Sequence, residues 1–176
     1  MRKIAAFGSA FNPPSLGHKS IITSLNHFDK ILLIPSIYHP FGKKMINYQV
    51  RCQLVDAFIT DINLLNVERS KIEEKLLKIE KPVKTYTLLL ELSNEFPESD
   101  ITFVLGPDNL LNFPNFYKSE EILKYWNILI CPERISIRSS DIRQKLANGL
   151  NIDDLTTPSV LSLLKETSAY SGRVGF

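Results

Sequence analysis

The feature that most limits what this chain can fold into is a change of hydrophobic period that repeats along it. Short apolar runs at Ile4–Phe7, Ile31–Ile34, Leu64–Val67, Ile101–Leu105 and Ile128–Ile130 are bounded by turn residues such as Gly, Pro, Asn and Asp. That is the pattern of strands covered on both faces. Between the runs the spacing becomes helical: Ile21, Ile22, Leu25 and Phe28, then Val50, Leu54, Val55, Phe58 and Ile59, then Tyr86, Leu89, Leu90 and Phe96. Strands alternating with amphipathic helices predict a parallel sheet wound by right-handed crossovers.

The fold class read from this pattern is α/β, a Rossmann-like doubly wound parallel sheet of about five strands with helices on both faces. The 176 residues give the length of one domain. In this reading residues 150–176 carry a C-terminal helix around Val160, Leu161, Leu163 and Leu164, then a loose tail, Ser171–Phe176. The net charge is only +2 and is scattered, so no basic arm offers itself to nucleic acid. The longest aliphatic run, Ile31–Ile34, is far below the ~20 residues that cross a bilayer. Nothing after Met1-Arg2-Lys3 resembles a secretion signal, and a cytoplasmic protein without a membrane partner is expected. Cys52 and Cys131 stand far apart without a ligand pattern and read as unpaired core thiols. The charged stretch Glu68 to Lys84 predicts a solvated helix, with a mobile flap as the alternative.

The first strand runs straight into Gly8-Ser9-Ala10-Phe11-Asn12-Pro13-Pro14-Ser15-Leu16-Gly17-His18. In an open α/β sheet ligands bind beyond the carboxyl ends of the strands where the winding reverses. Ser15 is a good N-cap, placing Gly17 and His18 in the first helical turn, where free N–H groups attract phosphate. Gly17 allows close approach of a ligand, and His18 adds a donor. A lone histidine here would be read as a surface residue; the ordered set of Gly8, Phe11, Asn12, Pro13, Gly17 and His18 favours a site. A second helix start, Ile137-Arg138-Ser139-Ser140-Asp141-Ile142-Arg143, offers paired hydroxyls for an anion and an arginine fork one turn in.

Together these segments resemble the nucleotidyltransferase superfamily that includes nicotinate mononucleotide and phosphopantetheine adenylyltransferases. Its first motif, G-x-F-[DN]-P-x-H-x-G-H, is matched by Gly8, Phe11, Asn12, Pro13, Gly17 and His18, with one extra residue after Gly8 or Ser9 in the glycine's place. Its second, I-S-S-T-x-I-R, is matched by Ile137, Ser139, Ser140, Ile142 and Arg143. Thr85-Tyr86-Thr87, Gly106-Pro107-Asp108 and Phe113-Pro114-Asn115-Phe116 resemble further signatures of the nicotinate branch. The departures are Ser15 where the motif usually has its first histidine, Arg138 in place of a serine, and only five residues between Cys131 and Ile137. The loop Pro35–Lys44 carries His39, Pro40, Lys43 and Lys44 instead of the branch's P-P-H-[KR] run.

The resemblance implies transfer of AMP from ATP to nicotinate mononucleotide, with Mg²⁺ carried by the nucleotide and no metal site on the protein. The implied catalytic residues are His18, Ser15 and Arg143. ATP would meet Gly8, Ser9, Phe11, Gly17, His18, Gly106, Ser139, Ser140 and Arg143. The acceptor would meet Asn12, Lys43, Lys44, Tyr86, Thr87, Asp108 and Phe116, the last as a stacking ring. Phosphopantetheine as acceptor, or a regulatory nucleotide-binding module without catalysis, are the alternatives, and homo-oligomerisation is left open.

Overall fold

A computed structural model describes residues 1–39, 42, 44–132 and 134–170, with the backbone alone of Asp108. Lys43 and the tail Ser171–Phe176 lie outside the described residues. The strands are β1 (Arg2–Ser9), β2 (Lys30–Pro35), β3 (Val67–Arg69), β4 (Ser99–Leu105) and β5 (Asn127–Ile130). They pair in the order β3-β2-β1-β4-β5, every pair parallel. The winding therefore reverses between β1 and β4, and a crevice opens at their carboxyl ends.

The helices are α1 (Leu16–Ser24), α2 (Tyr48–Ile62), α3 (Ile72–Leu76), α4 (Thr85–Glu95), α5 (Pro107–Leu110), α6 (Ser119–Tyr125), α7 (Ser139–Ala147) and α8 (Pro158–Thr167). Strand side chains alternate between two buried cores, as the period of two requires. Ala5, Phe7, Ile31, Leu33 and Val104 face Ile22 of α1, Leu54 and Phe58 of α2, Ile142 of α7 and Val160 and Leu164 of α8. Ile4, Ala6, Leu32, Ile34, Phe103 and Leu105 face Ile72 of α3, Leu89 and Leu92 of α4 and Ile122 of α6. The expected doubly wound sheet with helices on both faces is what forms. Among the described residues no helix is long and apolar enough to cross a membrane.

Three expectations need correction. The third strand begins at Val67 and not at Leu64, because α2 runs on to Ile62 and closes on Asn63, whose φ of 53° is left-handed. Leu64 to Asn66 then form the turn, closed by the Val67 N–H on the Leu64 carbonyl at 3.3 Å, and Leu65 is fully exposed. The charged stretch after Glu68 is not one solvated helix. It contributes β3 and the five-residue α3, whose Ile72 and Leu76, one turn apart, bury themselves against the sheet. The helical period read at Leu25 and Phe28 outruns α1, which ends at Ser24, though both side chains remain in the core.

Leu54 sits at 0% exposure where α2 meets the sheet and α8. Leu54→Ala is expected to cost about 2–5 kcal/mol in urea unfolding; a loss below about 1 kcal/mol would contradict this packing.

Candidate active site

The loop leaving β1 cannot satisfy its own backbone. Phe11 lies at φ 45°, a region where bulky residues are rare; Pro13 and Pro14 lack N–H groups, and the Asn12–Pro13 peptide is cis. Its carbonyls are met from elsewhere. Arg51 of α2 donates to the Ala10 carbonyl at 2.7 Å and Arg143 of α7 to the Asn12 carbonyl at 2.8 Å. The Ser139 hydroxyl donates to the Pro13 carbonyl at 2.6 Å and Thr156 to that of Pro14 at 2.8 Å. The Asn12 side-chain oxygen accepts from the Tyr170 hydroxyl at 2.7 Å and from the Ile46 N–H at 3.4 Å. Phe11 itself is fully buried, its ring 5.8 Å edge-on from Phe7 and 4.9 Å from the His18 ring.

Ser15 caps α1, as its sequence position suggests. Its N–H donates to His18 Nδ1 at 3.1 Å, so that nitrogen is an acceptor and the neutral ring carries its proton on Nε2. Nε2–H in turn donates to Ser9 Oγ at 3.0 Å. Burial pushes the His18 pKa down to about 4, which keeps the ring neutral at physiological pH. The Ser15 hydroxyl donates to the Ile137 carbonyl at 3.0 Å, and its oxygen lies 2.9 Å from His18 Nδ1. Ser15 therefore positions His18 and has no proton left for a substrate.

A cavity of about 840 Å³ opens over the carboxyl ends of β1, β2 and β4, the size of a small-molecule site. Gly8, Ser9, Asn12, Ser15, Gly17 and His18 form one side of its wall and Ser139, Ser140 and Arg143 another. Gly106, Phe116 and Lys44 complete the set of expected residues found there. Phe116, half-buried, packs on Phe113 at 5.3 Å.

Other assignments change. Phe11 supports the site from within the core and is absent from the cavity wall. Tyr86 and Thr87 are absent as well, whereas Lys84, Thr85 and Leu88 line it. Successive helical residues turn by ~100°, so presenting Thr85 and Leu88 rotates Tyr86 away, onto Trp126 at 5.7 Å and Tyr117 at 6.2 Å. The close approach that Gly17 permits is that of the Ile137 carbonyl, into which a Cβ at Gly17 would collide. Ser139 spends its hydroxyl on the loop, leaving the N-terminal N–H groups of α7 as its contribution. Lys43 and the Asp108 side chain lie outside what the structure describes.

A cytidylyltransferase-like family model matches residues 6–145, which spans both motifs. The chain belongs to this family. It is a nucleotidyltransferase-type enzyme. A protein of Myxococcus xanthus provisionally named nicotinate-nucleotide adenylyltransferase is 27% identical, over 96% of this chain and 94% of its own. One of Anaeromyxobacter dehalogenans with the same provisional name is 24% identical, over 97% and 98%. A solved structure from Vibrio parahaemolyticus, also provisionally so named, is 50% identical with a TM-score of 0.87 and covers 98% of this chain and 100% of its own. Plasmodium falciparum nicotinic acid mononucleotide adenylyltransferase complexed with NaAD shares the fold at 18% identity, TM-score 0.74, over 97% and 98%.

Two buried charged residues of this cytidylyltransferase-like site, Arg51 and Glu73, also escape the sequence reading. Arg51 is 1% exposed and also donates to the Ile46 carbonyl at 3.2 Å. Its signal was present, since it precedes Leu54, Val55 and Phe58 by three, four and seven positions and so shares their buried face. Glu73 of α3 lines the cavity and accepts the Ile37 N–H at 2.6 Å. Burial pushes its pKa up to about 7, against the Ile37 N–H and the Arg51 charge that lower it. A carboxyl whose folded pKa is raised favours the folded state below its ordinary pKa and loses that contribution as pH rises through 7. Glu73→Gln, which keeps the acceptor and removes the charge, is expected to gain stability relative to the parent between pH 5 and 8. A stability difference that is flat with pH in urea unfolding would contradict the burial of this group.

Proposed function

We propose that this protein transfers AMP from ATP to nicotinate mononucleotide, forming the dinucleotide and pyrophosphate in the synthesis of NAD. The observation that carries the reading is the contact between the two motifs: the Ser15 hydroxyl meets the Ile137 carbonyl across 122 positions of sequence. His18 and the start of α7 thereby line one cavity side by side. The names of the curated relatives and the bound nucleotides of the Plasmodium falciparum structures, NaAD and APC, support the substrate class.

In the reaction a phosphate oxygen of the acceptor attacks the α-phosphorus of ATP in line. The new P–O bond forms as the bond to the β-phosphate bridge breaks and pyrophosphate leaves. Nothing covalent is asked of the protein, so catalysis is positioning and charge stabilisation. His18 Nε2–H, pointed at Ser9 Oγ in the free protein, turns its proton to the α-phosphate as negative charge builds there. Because the ring is neutral beforehand, it donates without first having to acquire a proton. The first-turn N–H groups of α7 and Arg143 receive the β- and γ-phosphates; the buried Arg143 Nε has no protein partner and is a donor to spare. Gly106, beside which a Cβ would meet nothing within 4 Å, leaves room beside β4 for the adenosine. Phe116 offers a flat ring to the pyridine, and Lys44 a cation to the acceptor phosphate.

Family members generally use a divalent metal with ATP, and here we assign Mg²⁺ as part of the Mg-ATP substrate. The described side chains of the cavity wall include His18, Lys44, Arg138, Arg143 and several hydroxyls, with Glu73 the one carboxylate among them, a set richer in partners for phosphate oxygens than in metal ligands. The buried, unpaired Cys52 and Cys131 accord with a reducing cytoplasm.

The test is pyrophosphate release from Mg-ATP with nicotinate mononucleotide, nicotinamide mononucleotide, phosphopantetheine or no acceptor in separate reactions. Release with nicotinate mononucleotide, reduced about 10²–10³-fold in His18→Ala, is the expected result. Release with phosphopantetheine alone would change the acceptor, and ATP binding without release in any reaction would make the protein a regulatory module.

A further inference from the structure

Glu73 carries a charge that its protein contacts explain only in part. One carboxylate oxygen, Oε2, accepts the Ile37 N–H at 2.6 Å, and for that task a neutral glutamine would serve without the cost of burying a charge. What the carboxylate adds is its second oxygen. Among the described residues Oε1 has no hydrogen-bond partner. The buried side-chain atoms left without one belong to Arg69, Arg143 and Thr157; Oε1 is not among them, so it opens on the cavity that Glu73 lines. With the residue only 7% exposed, an acceptor so poorly hydrated gains from any ligand that brings it a donor.

The fold decides which ligand group arrives there. Helix α3 shares one core with α4 and α6, on the face of the sheet opposite α1 and α7. Lys75 of α3 bonds Glu95 of α4 at 3.0 Å, which ties α3 to the helix whose first residue, Thr85, lines the cavity. Phe116 packs against the same core. Glu73, Thr85 and Phe116 therefore approach the cavity from one face of the sheet, and His18 and Arg143 from the other. A mononucleotide with its base on Phe116 and its phosphate beside His18 spans the two faces, and its ribose lies in between. At neutral pH the ring carboxylate and the phosphate of nicotinate mononucleotide are ionised, so its ribose hydroxyls are the donors it can bring to Oε1. A carboxylate in the wall repels the two anionic ends of such a molecule and accepts from its middle.

We propose that Glu73 is a specificity residue for the acceptor, its Oε1 accepting a ribose hydroxyl and so selecting an intact ribose over a deoxyribose. The proposal rests on the adenylyltransferase reading above and deepens its acceptor half. A carboxylate that takes a ribose hydroxyl is a recurrent device of doubly wound nucleotide sites; here it comes from α3.

The experiment measures pyrophosphate release by the full chain and by E73Q, with Mg-ATP and either nicotinate mononucleotide or its 2′-deoxy and 3′-deoxy forms. In E73Q the Ile37 N–H selects the amide oxygen and turns the NH₂ group to the cavity, so the loop contact is kept and the free acceptor atom is lost. We expect E73Q to raise KM for nicotinate mononucleotide about tenfold, with kcat and the KM for ATP changed by less than about twofold. One deoxy form should lose about as much with the parent protein and nothing further with E73Q. A role confined to holding Ile37 would leave the acceptor KM where it was. An unchanged acceptor KM in E73Q, an equal rise for ATP, or a deoxy penalty that persists in full in E73Q would overturn this assignment alone. Absence of release by the parent protein with any mononucleotide would overturn the adenylyltransferase reading, and this assignment with it.

Discussion

The site depends on a loop that cannot bond to itself. Between Ala10 and Ser15 two prolines remove donors, and Phe11 adopts a left-handed backbone, so the loop carbonyls need partners from other parts of the chain. Those partners come from α2, α7 and the segment before α8, while Tyr170 beyond α8 holds the Asn12 side chain. The loop is therefore a hub where elements distant in sequence converge, and its geometry is set by the whole fold. An unmet buried carbonyl costs about 1–3 kcal/mol, which makes several simultaneous partners a strong restraint on one loop conformation.

That restraint has an electrostatic consequence. With the loop held, the Ser15 N–H points at His18 Nδ1, and the ring has only one neutral tautomer open to it. Its neighbours Phe7 and Phe11 exclude water and favour the uncharged form. Positive charge in the cavity wall is carried by Lys44, Lys84, Arg138 and Arg143, while the histidine contributes an oriented dipole. This division suits a reaction in which charge moves across phosphate oxygens and no proton need be stored on the enzyme.

Much of this was legible in the sequence because it rests on local rules. The period change placed all five strands, and only β3 shifted, since Asn63 let α2 run longer than the apolar pattern implied. Ser15 as a helix cap followed from residue chemistry. What was not legible depends on three-dimensional packing. No local pattern says that the Ser15 hydroxyl is consumed by Ile137, that Gly17 makes room for a carbonyl and not a ligand, or that α4 turns Thr85 inward and Tyr86 outward. Arg51 lay between these cases: its helical spacing marked it as buried, but its partners at Ala10 and Ile46 come from loops without a period.

The protonation of His18 tests this account most directly. Because folding lowers its pKa from 6.5 to about 4, the neutral ring favours the folded state fully above pH 6.5, and that contribution is lost as pH falls toward 4. Nitrogen-15 NMR of the histidine-labelled protein, with His18→Asn as the assignment control, reads tautomer and titration together. The account predicts a proton on Nε2, none on Nδ1, and no imidazolium until the pH falls below about 5. A proton on Nδ1, or a ring that titrates near 6.5, would contradict it.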